Sequence, residues 1–298
     1  MQIGIIGLGK MGFNLALNLK RNGYEVIAND VNQDFVQKIA AEGIKTGNSI
    51  AKLCQQLTDR KVIWLMVPAG EIVDKVIEAL LPFLKPDDII IDGGNSNFKD
   101  SKKRYNYLKT KNIDFLDCGT SGGTSGALNG ACTMIGGENE VFAYVEKVFK
   151  DISVENGYLH TGAAGSGHFT KMVHNGIEYG MMQAIAEGFE VFEHCEFDID
   201  FQKTAKMLNH GSVVRGWLME LTENAFSKDP KLDSIKGIMH SSGEGKWTLE
   251  TALDLGVPTP VIAMSVMMRY RSQMTDTFSG KVVAALRNEF GGHAVEKK

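Results

Sequence analysis

Four polar side chains with acid–base or hydrogen-bonding capacity recur at helical spacing in the second half of the chain. They are Lys171, His174, Asn175 and Glu178, at positions i, i+3, i+4 and i+7. On an α-helix this spacing places all four within an arc of about 100° on one face. A lysine that loses its proton is a general base, and a carboxylic acid can return a proton. The spacing therefore predicts a helix face equipped for proton transfer.

The residues around this polar face are mostly apolar. Between Phe169 and Gln183, Lys171 and Glu178 are the only side chains with a formal charge at neutral pH. The alternative interpretation is a solvated face with an i,i+7 charge pair, which predicts more charged neighbours than the segment contains. His174 on its own is also compatible with a hydrogen-bonded core histidine. We favour the wall of a cleft, where desolvation lowers the pKa of a base lysine.

A glycine-rich turn lies at the start of the chain, between a strand-like apolar run and a helical pattern. Its sequence, GLGKMG at positions 7–12, is the GxGxxG pattern. Gly7 permits a tight turn, Gly9 lets the backbone approach a pyrophosphate, and Gly12 lets the helix pack close to the sheet. The free N–H groups at the start of the helix then face the anion. The pattern in this context predicts a dinucleotide site.

An acidic residue follows the second predicted strand, where ribose recognition is expected. Asp30 can accept hydrogen bonds from a ribose 2′-OH, but its charge would repel a 2′-phosphate. The next residues, VNQD at 31–34, include no Lys or Arg, so we predict NAD rather than NADP as the cofactor. The alternative interpretations are a simple turn residue for Asp30, and ordinary strand termination for residues 67–69, which we expect to pack against the adenosine. The predicted cofactor contacts are Gly7, Leu8, Gly9, Lys10, Met11, Gly12, Asn29, Asp30, Val67, Pro68, Ala69 and Asn95.

The elements that must position these residues follow two different patterns. In the first half, short apolar runs alternate with helical patterns, which indicates βαβ units and a parallel sheet. From about Ser166 the pattern is long and helical, and the glycine-rich segment 157–167 separates the two regimes. We predict a Rossmann-type, doubly wound α/β domain over residues 1–163, then an all-helical substrate and oligomerisation domain over residues 164–298. The predicted strands are Ile3–Ile6, Glu25–Asn29, Val62–Val67, Ile89–Asp92 and Asp114–Leu116, and the clearest helices are Met11–Arg21, Glu71–Leu84 and Ser166 to about Cys195.

Composition excludes several other classes of protein. The net charge of −4 provides no basic field for nucleic acid or an anionic membrane. The four cysteines are scattered, without a CxxC pair or a Cys/His cluster at zinc spacing, so we predict reduced thiols and no metal. No stretch approaches the roughly 20 apolar residues of a membrane span, and the chain opens in a strand-like run without the charged region of a signal peptide. We expect a cytoplasmic protein.

The sequence KMVHNGIEY at positions 171–179 resembles the signature helix of 6-phosphogluconate dehydrogenases. Five further motifs resemble those of the family, occur in the same order as in the family and span almost the whole chain. They are DGGNS at 92–96, SGG at 121–123, GA at 126–127, GEGKWT at 243–248 and RNEFGGH at 287–293. The resemblance implies oxidative decarboxylation of 6-phosphogluconate to ribulose 5-phosphate and CO2, with NAD as the cofactor predicted from Asp30.

The resemblance also implies a role for each matched residue. Lys171 would take the proton of the substrate 3-OH as C3 gives up hydride, and would then protonate the keto oxygen as CO2 leaves. Glu178 would protonate C1 of the enediol. The sugar hydroxyls and the carboxylate would be held by Asn95, Ser121, Gly122, Gly123, His174 and Asn175. The phosphate end would be held by Tyr179, Lys246, Thr248, Arg269, Arg287 and His293.

The chain departs from the family pattern in three respects. The better-known members are longer and carry a second, duplicated helical unit, so this chain resembles the short form. Met181 stands where an Asp is usual, and Asp30 stands where the family has an Arg that serves NADP. We expect a homo-oligomer, a dimer or a tetramer, formed through the helical domain. In the family geometry, the tail with Arg287 and His293 would reach the site of a neighbouring subunit.

Two other functions fit parts of the pattern. A sister β-hydroxyacid dehydrogenase for a small substrate such as 3-hydroxyisobutyrate would share the nucleotide domain and the catalytic lysine. Such relatives usually have Asn at the position of Glu178 and lack the cations for a phosphate. A non-catalytic NAD-binding sensor would keep Gly7, Gly9 and Gly12 but would need neither Lys171 nor Glu178. The paired acid and base favour the enzyme.

Overall fold

The structure, a computed structural model, describes residues 1–297. Strands and helices alternate up to Gly162, and helices follow from Ser166 onward. The strands are β1 (Gln2–Ile6), β2 (Glu25–Asn29), β3 (Lys45–Thr46), β4 (Val62–Leu65), β5 (Ile89–Asp92), β6 (Asp114–Ser121), β7 (Ala131–Gly137) and β8 (Ser153–Gly162). The helices are α1 (Lys10–Arg21), α2 (Gln33–Ala41), α3 (Ile50–Gln56), α4 (Glu71–Leu80), α5 (Phe98–Lys109), α6 (Gly123–Asn129), α7 (Asn139–Ile152), α8 (Ser166–Glu193), α9 (Phe201–Leu208), α10 (Trp217–Lys228), α11 (Glu244–Asp254), α12 (Pro260–Ser272) and α13 (Phe278–Gly291).

The strands form one sheet in the order β3-β2-β1-β4-β5-β6-β7-β8. All neighbours are parallel except β6 and β7, which pair antiparallel. The connection between those two strands, residues 122–130, is shorter than the dozen or so residues that a parallel crossover needs. The strand order reverses at β1, between β2 and β4, and such sheets bind ligands at the carboxyl ends of the strands near this point. The predicted Rossmann-type domain is confirmed, with one antiparallel pair added.

Successive residues of the central strands contribute to two cores, one on each face of the sheet. In β1, Ile3 and Ile5 belong to one core and Ile6 to the other. Residues of α1, α2 and α7 complete the first core, and residues of α3, α4 and α5 complete the second. Because both faces are covered, the central strands are apolar along most of their length, which is why they are recognisable in the sequence.

The predicted elements differ from the structure chiefly near the end of the sheet. Strand β6 continues to Ser121 rather than ending at Leu116, and β3 and β7 are absent from the predicted strands. The segment 157–167, predicted as a glycine-rich boundary, contains the second half of β8. This edge strand contains no buried residue, and register shifts interrupt its pairing with β7. It therefore lacks the apolar pattern by which a strand is predicted.

Three element ends also differ from their predicted positions. Strand β4 ends at Leu65, two residues before the predicted end. Helix α4 ends at Leu80, and Pro82 lies in the short 3₁₀ helix Leu81–Phe83 that follows. Proline has no N–H to continue the α-helical hydrogen bonds, so the helix does not reach Leu84 as predicted. Helix α8 begins at Ser166 as predicted and ends at Glu193.

Contacts divide the chain into a first unit, Met1–His174, and a second unit that begins at Asn175, so α8 starts in one and continues in the other. The second unit is helical, as predicted, and its core contains Phe189, Phe201 and Phe226. Helix α13 contains no buried residue. Among residues 1–297, no helix combines the length and the apolar character needed to cross a bilayer.

Candidate active site

The three glycines of the turn after β1 are required for different reasons. Gly7 has φ of +102°, and a Cβ there would collide with the carbonyl oxygen of Met66. A Cβ on Gly12 would collide with the carbonyl oxygen of Gly7, so both glycines are required by the fold itself. Gly9, the exposed N-cap of α1, has φ of −61°, and a Cβ there would meet no atom within 4 Å. The space over Gly9 is therefore open to a ligand such as a pyrophosphate.

Asp30 connects the ends of two adjacent strands. Its Oδ2 accepts a hydrogen bond from the N–H of Leu8 at 2.5 Å, and its Oδ1 accepts one from the N–H of Asn32 at 2.7 Å. The carboxylate is thus fixed beside the glycine turn and remains partly exposed. The preceding Asn29 is buried and donates its amide to the carbonyl of Gly47 at 2.8 Å. Of these two predicted cofactor contacts, Asp30 is the one with a side chain open to solvent.

Two loops lie side by side at the carboxyl ends of β4 and β5. The β4 loop, residues 66–70, contains the predicted contacts Val67, Pro68 and Ala69, and the last two are exposed. The β5 loop, residues 93–97, contains the exposed Asn95. A Cβ on Gly94 would lie 2.9 Å from the carbonyl oxygen of Val67, so the two loops are in close contact. This arrangement places the predicted adenosine contacts beside the predicted substrate contact Asn95.

The start of α8 packs directly on the sheet. A Cβ on Gly167 would lie 2.5 Å from the carbonyl oxygens of Asp117 and Met134, so only glycine fits there. The buried carboxylate of Asp117 accepts hydrogen bonds from the N–H groups of Gly165 and His168, at 2.6 and 2.8 Å. Asp117 therefore satisfies backbone donors that a helix N-terminus leaves unpaired. It is a site-supporting residue that the sequence does not reveal, because it lies 48 and 51 positions from its partners.

Lys171 lies against strand β6, and only 7% of its surface is exposed. A Cβ on Gly119 would collide with the Cβ of Lys171 and would lie 2.9 Å from its Cγ. The Nζ of Lys171 is 3.5 Å from Nδ1 of His174, and Nε2 of His174 is 3.0 Å from Oγ of Ser121. The structure thus brings three predicted residues into one hydrogen-bonded series. The amine belongs to this series and does not extend into bulk water.

The turn after β6 adds two more predicted residues. Gly122 and Gly123 have φ of +114° and +60°, in the region that favours glycine, and they follow Ser121 directly. Cys118, on the same strand, is buried, and this burial raises the pKa of its thiol in spite of a hydrogen bond with Thr120 that lowers it. A thiol that stays protonated is a poor nucleophile. The Cys118 thiol is therefore a poor candidate for a nucleophile in this part of the candidate site.

In the second unit, Tyr179 is the centre of a group of predicted phosphate residues. The guanidinium carbon of Arg269 lies 3.7 Å from the centroid of the Tyr179 ring, a cation–π contact. Arg269 also donates a hydrogen bond to the carbonyl of His240 at 2.7 Å. The Tyr179 hydroxyl is 3.4 Å from Oγ of Ser241, and a Cβ on Gly245 would lie 2.6 Å from the ring. Helices α8, α11 and α12 thus meet around one aromatic ring.

The remaining residues of this group differ in exposure. Thr248 is buried against Gly176 and donates its hydroxyl to the carbonyl of Glu244 at 2.9 Å. Lys246 is exposed and pairs with Glu250 at 3.4 Å within α11. Asn175 is buried and Glu178 half-buried, on the same helix as Tyr179. The exposed ion pair of Lys246 contributes little to stability, so this cation can turn toward a ligand at small cost.

Within the described part of the second unit, the structure does not bring Arg287 and His293 to the other predicted phosphate residues. Arg287 is exposed on α13, and His293 is exposed just after it. Within residues 1–297, their polar contacts are local: the carbonyl of His293 accepts from the side chain of Asn288 at 2.8 Å, and its N–H donates to the carbonyl of Arg287 at 3.5 Å. In the same described range, no group of three His, Cys, Asp or Glu side chains is arranged to hold a metal ion.

Two family models match the chain in succession. The NAD binding domain of 6-phosphogluconate dehydrogenase matches residues 2–162, and the C-terminal domain of 6-phosphogluconate dehydrogenase matches residues 167–298. The chain belongs to the 6-phosphogluconate dehydrogenase family. The resemblance predicted from the motifs is thereby confirmed, and the chain is an oxidoreductase of this family.

Relatives in the 6-phosphogluconate dehydrogenase family include short and long forms. The "Putative 6-phosphogluconate dehydrogenase YqeC" of Bacillus subtilis (strain 168) is 58% identical over 298 residues, with 100% of both chains covered. The NAD(+)-dependent, decarboxylating 6-phosphogluconate dehydrogenase of Haloferax volcanii is 41% identical over 300 residues, with 100% of this chain and 99% of the relative covered. The NADP(+)-dependent, decarboxylating member from Bacillus subtilis is 38% identical over 92% of this chain, which spans only 62% of that longer relative. The short form is therefore shown by full-length relatives.

Solved structures agree with this placement. Plasmodium falciparum 6-phosphogluconate dehydrogenase, solved in its apo form, with NADP+ and with 6-phosphogluconate, is 28% identical with a TM-score of 0.85. The alignment covers 100% of this chain and 66% of that one. Mycobacterium tuberculosis 3-hydroxyisobutyrate dehydrogenase is 21% identical with a TM-score of 0.73, over 91% of this chain and 92% of that one. At this identity, the second structure shows the shared fold alone.

Proposed function

We propose that this enzyme oxidatively decarboxylates 6-phosphogluconate to ribulose 5-phosphate and CO2, with NAD as its cofactor. The observation that carries the proposal is the series from Lys171 through His174 to Ser121, with the lysine 7% exposed and packed on Gly119. A buried amine that is hydrogen-bonded through a histidine to a hydroxyl is suited to accept a proton from a sugar alcohol.

In this proposal the acid and the base act in turn from one face of α8. Lys171 accepts the proton of the substrate 3-OH during oxidation and returns it to the keto oxygen as the carboxylate leaves as CO2. The protonated carbonyl oxygen acts as the electron sink, so the residues require no metal for this step. Glu178, seven positions further along the same continuous helix, then protonates C1 of the enediol, while Lys171, which has given up its proton, takes the proton of the enediol hydroxyl, so that the ketone product forms.

The cofactor fits the residues of the glycine turn. The open space over Gly9 and the uncapped start of α1 suit a pyrophosphate. Asp30, fixed by the N–H groups of Leu8 and Asn32, suits a ribose 2′-OH and disfavours a 2′-phosphate. Lys10, Met11, Val67, Pro68, Ala69 and Asn95 complete the proposed contacts, while the buried Asn29 supports the turn. When bound, NAD supplies the acceptor for the hydride from C3.

The substrate would be held at both ends. Asn95, Ser121, Gly122, Gly123, His174 and Asn175 are proposed to hold the hydroxyls and the carboxylate. Tyr179, Lys246, Thr248 and Arg269 are proposed to hold the phosphate, together with Arg287 and His293 from a neighbouring subunit of a homodimer or homotetramer. The cation–π contact of Arg269 on Tyr179 supports this assignment, because it fixes a cation beside α8. A cytoplasmic location is also proposed, since all four cysteines are free.

A substrate comparison tests this function directly. NADH and CO2 are followed with 6-phosphogluconate, with gluconate and with 3-hydroxyisobutyrate, each with NAD and with NADP. We expect turnover with 6-phosphogluconate, one CO2 per NADH, and a higher kcat/KM with NAD. Turnover of only an unphosphorylated acid would refute the substrate, and a clearly higher kcat/KM with NADP would refute the cofactor.

A lysine substitution tests the mechanism. Lys171→Met should lower kcat by about 10²–10⁴-fold, the usual contribution of an acid–base group, while NAD binding measured by fluorescence stays within twofold. Lys228→Met, at an exposed position on α10, is the matched control and should leave kcat unchanged. Unchanged turnover in Lys171→Met would remove the proposed mechanism and favour another base.

A further inference from the structure

A buried arginine outside the predicted site residues joins the two loops that carry them. Arg104 lies on α5 and is 4% exposed. Its Nε donates a hydrogen bond to Oδ1 of Asp74 at 2.7 Å, and its NH2 group donates to the carbonyl of Gly70 at 3.0 Å. Its NH1 group donates to Oδ2 of Asp92 at 3.2 Å and to Oγ of Ser96 at 3.1 Å. One guanidinium therefore connects four partners.

These partners come from the carboxyl ends of two neighbouring strands. Gly70 ends the β4 loop, and Asp74 lies in the first turn of α4, which follows it. Asp92 is the last residue of β5, and Ser96 belongs to the β5 loop. The Arg104 guanidinium thus connects the β4 loop, which contains the proposed adenosine contacts, to the β5 loop, which contains Asn95.

Asn95 lies between two fastened points of its loop. The Ser96 hydroxyl donates to Oδ2 of Asp92 at 2.7 Å, and the N–H of Gly94 donates to Oδ1 of the same carboxylate at 3.3 Å. Asp92 is fully buried and Ser96 is buried, whereas Asn95 is exposed. The backbone on both sides of Asn95 is therefore tied to the carboxylate that Arg104 contacts, and the Asn95 side chain is the part left open to a ligand.

The charges in this group reinforce one another. Burial by itself lowers the pKa of Arg104, but the hydrogen bond to Asp74 and the charges of Asp92 and Asp74 raise it, so the guanidinium stays protonated. Replacing a buried ion pair by well-packed apolar residues is often neutral or stabilising, so stability alone is a weak explanation for this group. The guanidinium of arginine is planar and has five N–H donors, so it can hold several acceptors at fixed angles. Two loops that contribute to one site need their relative positions fixed in this way.

We propose that Arg104 is a positioning residue that fixes the β5 loop, with Asn95, relative to the β4 loop. In this way it sets the position of the substrate relative to the dinucleotide. This rests on the proposed function, which assigns Asn95 to the substrate and the cofactor. Arg104 itself touches neither ligand in this proposal. Its effect passes through Asp92 and Ser96 to the loop backbone.

A double-mutant cycle tests the proposal. Arg104→Lys keeps the positive charge but cannot contact all four partners. Because a small misplacement of a positioning group is costly, we expect the KM for 6-phosphogluconate to rise and kcat to fall, for a loss of about tenfold or more in kcat/KM. Asn95→Ala should show its own loss. The double variant should lie within about twofold of Asn95→Ala alone, because coupled residues are not additive.

The matched control is another arginine–carboxylate pair of the same sheet. Arg60 pairs with Asp114 at 2.5 Å, at the amino ends of β4 and β6, away from the loops. Arg60→Lys removes a similar fork and should leave all kinetic constants within about twofold. Ser96→Ala provides a milder test that keeps every charge, and it should show a smaller loss that also disappears in the Asn95→Ala background.

The outcomes separate the two proposals. Losses from Arg104→Lys and Asn95→Ala that multiply in the double variant would overturn the positioning role while leaving the proposed function intact. An Asn95→Ala enzyme with unchanged kinetic constants would show that Asn95 is wrongly assigned, and the positioning role would fall with it. If Arg104→Lys does not fold, the Ser96→Ala and Asn95→Ala pair decides in the same way.

Discussion

At the scale of single residues, the three glycines of the turn after β1 differ in whether the fold or a ligand requires them. Gly7 and Gly12 are required by backbone conformation and by collisions with carbonyl oxygens of the chain itself. Gly9 meets neither condition, because its φ is negative and its surroundings are open. Neither backbone conformation nor packing within the protein requires glycine at position 9, which is consistent with the proposed contact of Gly9 with a pyrophosphate.

This difference predicts the effects of two substitutions. Gly9→Ala should raise the KM for NAD by about tenfold or more, because the added methyl occupies the space of the pyrophosphate, while stability falls by at most about 1 kcal/mol for the weaker N-cap. Gly7→Ala should destabilise the fold by more than about 2 kcal/mol through strain and collision. Steady-state kinetics and denaturant unfolding measure both effects. An unchanged KM for NAD in a folded Gly9→Ala enzyme would contradict the proposed cofactor site.

At the scale of elements, α8 is positioned by close contact with β6. Asp117 holds the backbone at the start of the helix, Gly167 allows that start to touch the sheet, and Gly119 leaves room for the stem of Lys171. The lysine is thus placed by the absence of a side chain on the neighbouring strand. The position of Lys171, the proposed base, therefore depends on the short distance between α8 and β6.

One added methyl group should have opposite effects at two glycines, one that contacts Lys171 and one that does not. Gly119→Ala should push Lys171 away from the sheet, lowering kcat by about 10–100-fold and stability by about 1–3 kcal/mol. Gly188→Ala is the matched control, because it lies exposed on the same helix and its Cβ would meet nothing within 4 Å. It should stabilise the protein by about 0.5–1 kcal/mol, with kcat unchanged. A fully active Gly119→Ala enzyme would argue against the placement of Lys171.

At the scale of the whole molecule, the last helix is exposed along its whole length in the described chain. Helix α13 contains no buried residue, and Phe278 and Phe290 are 80% and 77% exposed. Large apolar side chains exposed together mark an interaction surface. The proposed phosphate residues Arg287 and His293 lie on this same segment. The proposed homo-oligomer, in which this segment docks on a neighbouring subunit, would account for both features.

Mixing two inactive variants tests this arrangement. Lys171→Met lacks the base, and Arg287→Ala lacks a proposed phosphate contact, so each alone should be nearly inactive at low substrate. If the tail serves a neighbouring site, random reassembly of a dimer should restore about a quarter of the wild-type activity, since half of the dimers carry one intact site. Activity and sedimentation of the refolded mixture are measured together. A mixed oligomer without recovered activity would place the tail in its own subunit's site.

The sequence alone determined the local features of this protein. The GxGxxG turn, the buried central strands and the helix with Lys171 and Glu178 were all predicted, because each is specified by the spacing of neighbouring residues. The family, too, was recognised from motifs that are contiguous in the chain. Periodicity and turn chemistry act over a few residues, so a sequence displays them directly.

Only the tertiary structure decided which distant residues support the site. Arg104 contacts residues up to 34 positions away, and Asp117 holds a helix that starts 49 positions later. Strand β8, an edge strand with little apolar pattern, was hidden in a glycine-rich segment. Such contacts follow from the order of strands in the sheet, which no local spacing encodes. The same reason explains why Gly119, an unremarked strand residue, turned out to be what makes room for the lysine.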